Sequence, residues 1–168
     1  MERIRDYKFS TLIEAGYSYL PDSIADRLRH VHFLCGVDPV YTGLHDDKGT
    51  CPDGRLWREM SHTSYAYGQL SLPRDKRHTT VVLPRSIETY SPVSVVHELA
   101  HCLDEVEGFY ERIGSVTEYA KTNSGEAFAE AFCSWLFRDY GDYSPDYGTL
   151  VLFRSFLTDK ELRKLVHL

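Results

Sequence analysis

Apolar residues recur at helical spacing in three stretches of this chain, with β-rich segments between the first two. In "PDSIADRLRHVHFLCG", residues 21–36, Ile24, Leu28, Val31 and Leu34 stand three or four apart, the spacing that gives a helix one apolar face. Asp22 or Ser23 supplies a cap and Gly36 a stop, so a helix is predicted across this stretch. The next segment, "VYTGLHDDKGTCPDGRLW", is crowded with turn formers and predicts a short strand and an irregular loop. "SYAYGQLSLP" and "HTTVVLP" are rich in β-formers, and "RDKR" between them suggests a turn joining an antiparallel pair.

The second helical stretch is apolar nearly all round. Val93, Val95, Val96, Leu99, Ala100, Cys102 and Leu103 leave it little polar surface, which predicts a buried helix. Ser91 can cap it, Pro92 suits its first position, and Gly108 follows its last turn. The third stretch, "NSGEAFAEAFCSWLFRDYG", residues 123–141, carries Phe128, Phe132, Trp135 and Leu136 for packing. Asn123 or Ser124 can cap it and Gly141 can stop it. "TDKE", 158–161, is a capping box that opens a helical tail. Together these elements predict an α+β fold in one domain, 1–168. A small, mostly antiparallel sheet would stand beside two buried helices, with an amino-terminal helix and the tail around them.

Composition narrows the class without choosing a function. The chain has 168 residues, enough for a real core in one domain. It is 42% hydrophobic and 26% charged, as globular proteins are. No run approaches the roughly 20 apolar residues of a membrane helix. "MERIRDYKFS" lacks the apolar core of a secretory signal, so a cytoplasmic location is expected, with export by another route left open. Net charge is −6, and "RDKR" reads as a solvated turn, so neither nucleic acid nor membrane is an expected partner. The four cysteines form no C-x-x-C pair, which argues against a cysteine metal site. Cys102 and Cys133 read as small core residues. Free thiols are expected at Cys35 and Cys51, although a bridge between them is conceivable.

The buried helix carries the chemistry. "HELAH" puts His97 and His101 four apart, one above the other on a helix. Glu98 is offset from them, long enough to reach a metal-bound water without ligating. This H-E-x-x-H pattern joins two imidazole ligands to a carboxylate base, yet arises by chance in roughly a few of a hundred chains of such composition. Context favours chemistry, because two histidines and a glutamate inside an apolar helix need partners. A catalytic zinc takes three protein ligands and leaves one position open. A third histidine on the same helix is excluded, since Asp104 and Glu107 occupy the positions where a glycine turn and that ligand would stand. The third helical stretch offers a glutamate instead. Glu126 and Glu130 share one of its faces, with Glu126 expected as ligand and Glu130 as the carboxylate behind a ligating imidazole. Asp104 could serve another histidine in the same way.

"HELAHCLD" followed by "YAKTNSGEAFAEAF" resembles the gluzincin metallopeptidases related to the anthrax lethal factor catalytic domain, a group that includes Pro-Pro endopeptidases. The similarity covers about 40 residues, 95–134. The second motif is the more specific, with Tyr119, Thr122, Asn123, Glu126 and "FAEAF" at the family's spacing. The resemblance implies a zincin-like fold, one zinc per chain held by His97, His101 and Glu126, and Glu98 as catalytic base. It also implies Tyr119 as hydroxyl donor to the oxyanion. The expected activity is zinc-dependent endopeptidase cleavage of a peptide or protein substrate. A second resemblance, to peptidases that cleave phage-type repressors, lacks a matching segment after "SWLF". A binding module without turnover would not require Glu98.

Overall fold

In the computed structural model, the described residues are 2–35, 65–67, 80–83, 91–104, 106, 108–111 and 116–165. The chain opens with α1 (Glu2–Ser18), ahead of the amino-terminal helix predicted at 21–36. Pro21 ends any continuation, because the residue before a proline is pushed out of helical backbone, and it caps α2 (Asp22–Arg27).

The helix predicted to run to residue 36 stops at Arg27. Residues 28–30 turn, and His32–Cys35 form β1. Ile24, Leu28 and Val31 are all buried, so the apolar positions were read correctly while their backbone was not. A long-range ladder overrides the local spacing: β1 pairs in parallel with β3 (Thr80–Leu83), from His32 opposite Thr80 to Cys35 opposite Leu83. On the other side of β3 runs β2 (Tyr65–Tyr67), antiparallel, with Ala66 opposite Val81. The predicted antiparallel pair is therefore present. The sheet order is β1-β3-β2, and the sheet is mixed among the described residues rather than mostly antiparallel. Its strand nearest in sequence to the buried helix, β3, is the central one. The "RDKR" turn, the strand and loop predicted at 40–57, Cys51 and Glu107 lie outside the described residues.

The buried helix is α3 (Pro92–Leu103). It lies against β2, β3, α1 and α4 (Ser124–Leu136), so nearly every side of it has a partner. Val95, Val96, Leu99, Ala100, Cys102 and Leu103 are buried as the pattern required. The contact with α1 has no spare volume. A Cβ at Gly16 would stand 2.6 Å from Val95 Cγ1, so only glycine lets the two backbones approach this closely. Tyr17, one residue on, donates its hydroxyl to the Leu28 carbonyl at 3.0 Å and ties α1 to the end of α2.

α4 ends at Leu136, not at Gly141. It uses its faces differently. Phe128, Phe132 and Trp135 meet Phe153 of α5 (Tyr147–Arg154), with ring centroids 5.5, 5.3 and 5.3 Å away. The opposite face, bearing Glu126 and Glu130, turns to α3. The tail helix α6 (Asp159–Leu165) starts at the predicted capping box: Thr158 donates to Glu161 Oε2 from N at 2.8 Å and from Oγ1 at 2.9 Å. The other oxygen of Glu161 accepts from Ser23 N at 3.0 Å, which joins the tail to α2. No described helix is long and apolar enough to cross a membrane.

Candidate metal centre

Two helix starts aim the site. Ser91 precedes α3 in extended backbone, its N–H donating to Ser94 Oγ at 3.4 Å, and Pro92 takes the first helical position. The ring centroids of His97 and His101, one turn apart, are 4.9 Å from each other. At the head of α4, Asn123 is the cap, its side-chain oxygen accepting from Glu126 N at 2.9 Å. The cap thus holds the backbone of the very residue whose carboxylate turns toward the histidines.

Three donor atoms meet at one place. His97 Nε2 and His101 Nε2 are 3.2 Å apart. Glu126 Oε2 stands 3.0 Å from the first and 3.3 Å from the second. Zinc–nitrogen bonds of about 2.0–2.1 Å put neighbouring ligands of one tetrahedral ion about 3.3 Å apart, so the sides of this triangle fit a single cation. The chemistry fits as well. His97 Nδ1 lies 2.8 Å from Glu130 Oε1, and a neutral ring that donates there presents a lone pair at Nε2. A lone pair facing a carboxylate oxygen repels it unless positive charge stands between them. Electrostatics agrees. Burial opposes the charged form of His97, yet Cys133, Glu126 and Glu130 around it drive its pKa far above the imidazole range. Burial likewise opposes ionised Glu126, yet His101 and His97 hold its carboxyl far below its ordinary value. His97, His101 and Glu126 form a cluster that could bind a metal ion.

The groups behind the triangle are more elaborate than the sequence suggested. Glu130 is 3% exposed and accepts from Thr117 Oγ1 and from the Tyr140 hydroxyl, each at 2.7 Å. Burial alone would raise its pKa, but His97, Tyr140 and Thr117 lower it, so it meets the imidazole as a carboxylate. Thr117 in turn accepts from Ala120 N at 3.1 Å. Asp104, the other carboxylate expected behind a histidine, is buried and accepts from Val106 N at 3.1 Å. Its Oδ2 and His101 Nδ1 both lie near Gly125: a Cβ there would be 3.9 and 3.7 Å from them.

Glu98 and Tyr119 stand on the open side. Glu98 is buried, Tyr119 is 54% exposed on a 3-10 turn at Tyr119–Lys121, and the Tyr119 ring lies 6.1 Å from that of His97. Burial, with the Glu126 charge, raises the Tyr119 pKa, so its hydroxyl keeps its proton. Both residues line a cavity of about 500 Å³, together with His97, Ser91, Ser94 and Tyr140. All seven site residues expected from the sequence therefore fall around the α3–α4 junction.

Thr117 and Tyr140 were missed. Neither belongs to a spacing pattern: they reach Glu130 from 13 and 10 residues away. Cys133, read as a core residue, is buried and neighbours His97 as well. Comparisons with family models, curated proteins and solved structures found no match for the chain.

Proposed function

We propose that this protein is a zinc-dependent endopeptidase with a zincin-like α+β fold. The observation that carries the proposal is the triangle of His97 Nε2, His101 Nε2 and Glu126 Oε2, with sides of 3.0–3.3 Å. Two imidazoles and one carboxylate are a donor set of catalytic zinc, and three ligands leave a position for substrate or water. Zinc held there supplies Lewis acidity and lowers the pKa of water toward ~7.

The chain's own residues do the remaining work. Glu98, buried beside the cavity, takes the proton from the attacking water and returns it to the departing amine. Tyr119, protonated and at the cavity wall, donates a hydrogen bond as charge develops on the carbonyl oxygen. Glu130 holds His97 in the tautomer that offers Nε2. The resemblance over residues 95–134 supports the same roles.

The test pairs metal content with cleavage. Elemental analysis should find about one zinc per chain, and the zinc-loaded protein should cut members of a peptide library. Glu98→Gln should keep the metal and lower turnover by about 100–10,000-fold, the usual worth of a general base. Protein that takes up no zinc on titration ends the proposal. Zinc uptake without cleavage of any peptide would make the chain a metal-binding module instead.

A further inference from the structure

Glu130 shares one oxygen between two donors. Its Oε1 lies 2.7 Å from the Tyr140 hydroxyl and 2.8 Å from His97 Nδ1, while Thr117 takes Oε2. A carboxylate held at one oxygen can still swing about its last torsion. Held at both, it cannot, and neither can the ring it orients. The backbone brings Tyr140 to this position deliberately. After α4 ends, Tyr140 N bonds to the Phe137 carbonyl at 3.1 Å, and Gly141 adopts φ 84°, a left-handed conformation that turns the chain back. Asp142 N then reaches the Val116 carbonyl at 2.8 Å, beside Thr117. Both hydroxyls that fix Glu130 therefore come from segments tied to each other. Burial and the Glu130 charge keep the Tyr140 phenol protonated, so it remains a donor.

We propose that Tyr140 is a positioning residue of the metal centre, acting on His97 through Glu130. This rests on the reading of His97, His101 and Glu126 as metal ligands. Tyr140 is half-buried and lines the cavity, so Tyr140→Phe keeps the ring and its packing and removes only the shared hydrogen bond.

The experiment is a competition titration of zinc against a chromophoric chelator. It uses the full chain as parent, Tyr140→Phe, Glu130→Ala and the double variant, each with a thermal melt. Tyr140→Phe should bind zinc about 10-fold more weakly, at the low end of losses from groups behind a ligand. Its cobalt-loaded form should show an altered visible spectrum. In the Glu130→Ala background the same change should matter less than about twofold, because the path through Glu130 is already cut. Parent-like zinc affinity and cobalt spectrum in Tyr140→Phe, with at most a lower melting temperature, would overturn the inference. So would a full 10-fold further loss in the Glu130→Ala background. A parent chain that binds no zinc defeats the metal-centre reading itself, and the inference with it.

Discussion

Glu126 and Glu130 are the same residue type, one turn apart on one face of α4, yet their surroundings differ throughout. Glu126 sits in the first turn, its side chain 16% exposed, and faces the Nε2 atoms of two histidines. Glu130, 4% exposed at its side chain, faces the Nδ1 atom of one histidine and two hydroxyls. The first shares its face with groups offering lone pairs. The second is surrounded by donors. What makes one a metal-ligand candidate and the other an orienting base is the atom each meets. The i, i+4 spacing that turns both toward α3 cannot by itself assign the roles.

The sharpest way to break this comparison is to remove each carboxylate in turn. Glu126→Ala should abolish most zinc affinity, measured by competition with a chelator. Parent-like affinity in that variant would mean the triangle has been misread. Tyr119→Phe should come next in size, on a different observable. Losing one oxyanion donor typically lowers turnover about 100–1,000-fold, here with zinc content unchanged. Turnover within a few-fold of the parent would return Tyr119 to a surface role. Glu130→Ala should weaken zinc by about 10–100-fold, visibly less than Glu126→Ala. Equal losses from the two would erase the distinction. The smallest effect lies one step further back. Gly141→Ala forces a Cβ into left-handed backbone, 3.1 Å from the Val116 carbonyl. It should cost about 1–2 kcal/mol of stability, read in a denaturant titration.

The candidate site was largely legible because its parts are local. His97, Glu98 and His101 lie within one helix, Glu126 and Glu130 within another, and the Asn123 cap stands three residues before Glu126. The parts that stayed hidden depend on contacts between distant segments. β1 was read as helix because four residues, His32–Cys35, carry too little alternation to outweigh the spacing of Ile24, Leu28 and Val31. Only pairing with β3, nearly 50 residues later, reveals the strand. α1 was missed although Phe9, Leu12, Ile13 and Tyr17 stand at helical spacing and pack in or against the core; only its close approach to α3 at Gly16 leaves no apolar signal. Thr117 and Tyr140 are a hydroxyl each among many, chosen by where the chain folds.

The three donors on Glu130 also make the site a thermodynamic hinge between chemistry and backbone order. Whatever fastens residues 116–120 and 137–142 in place helps hold His97, and linkage requires the converse to the same degree. A cation at the triangle should therefore slow amide hydrogen exchange in both segments, although neither contributes a ligand. The protection gained there is the other face of the affinity they confer.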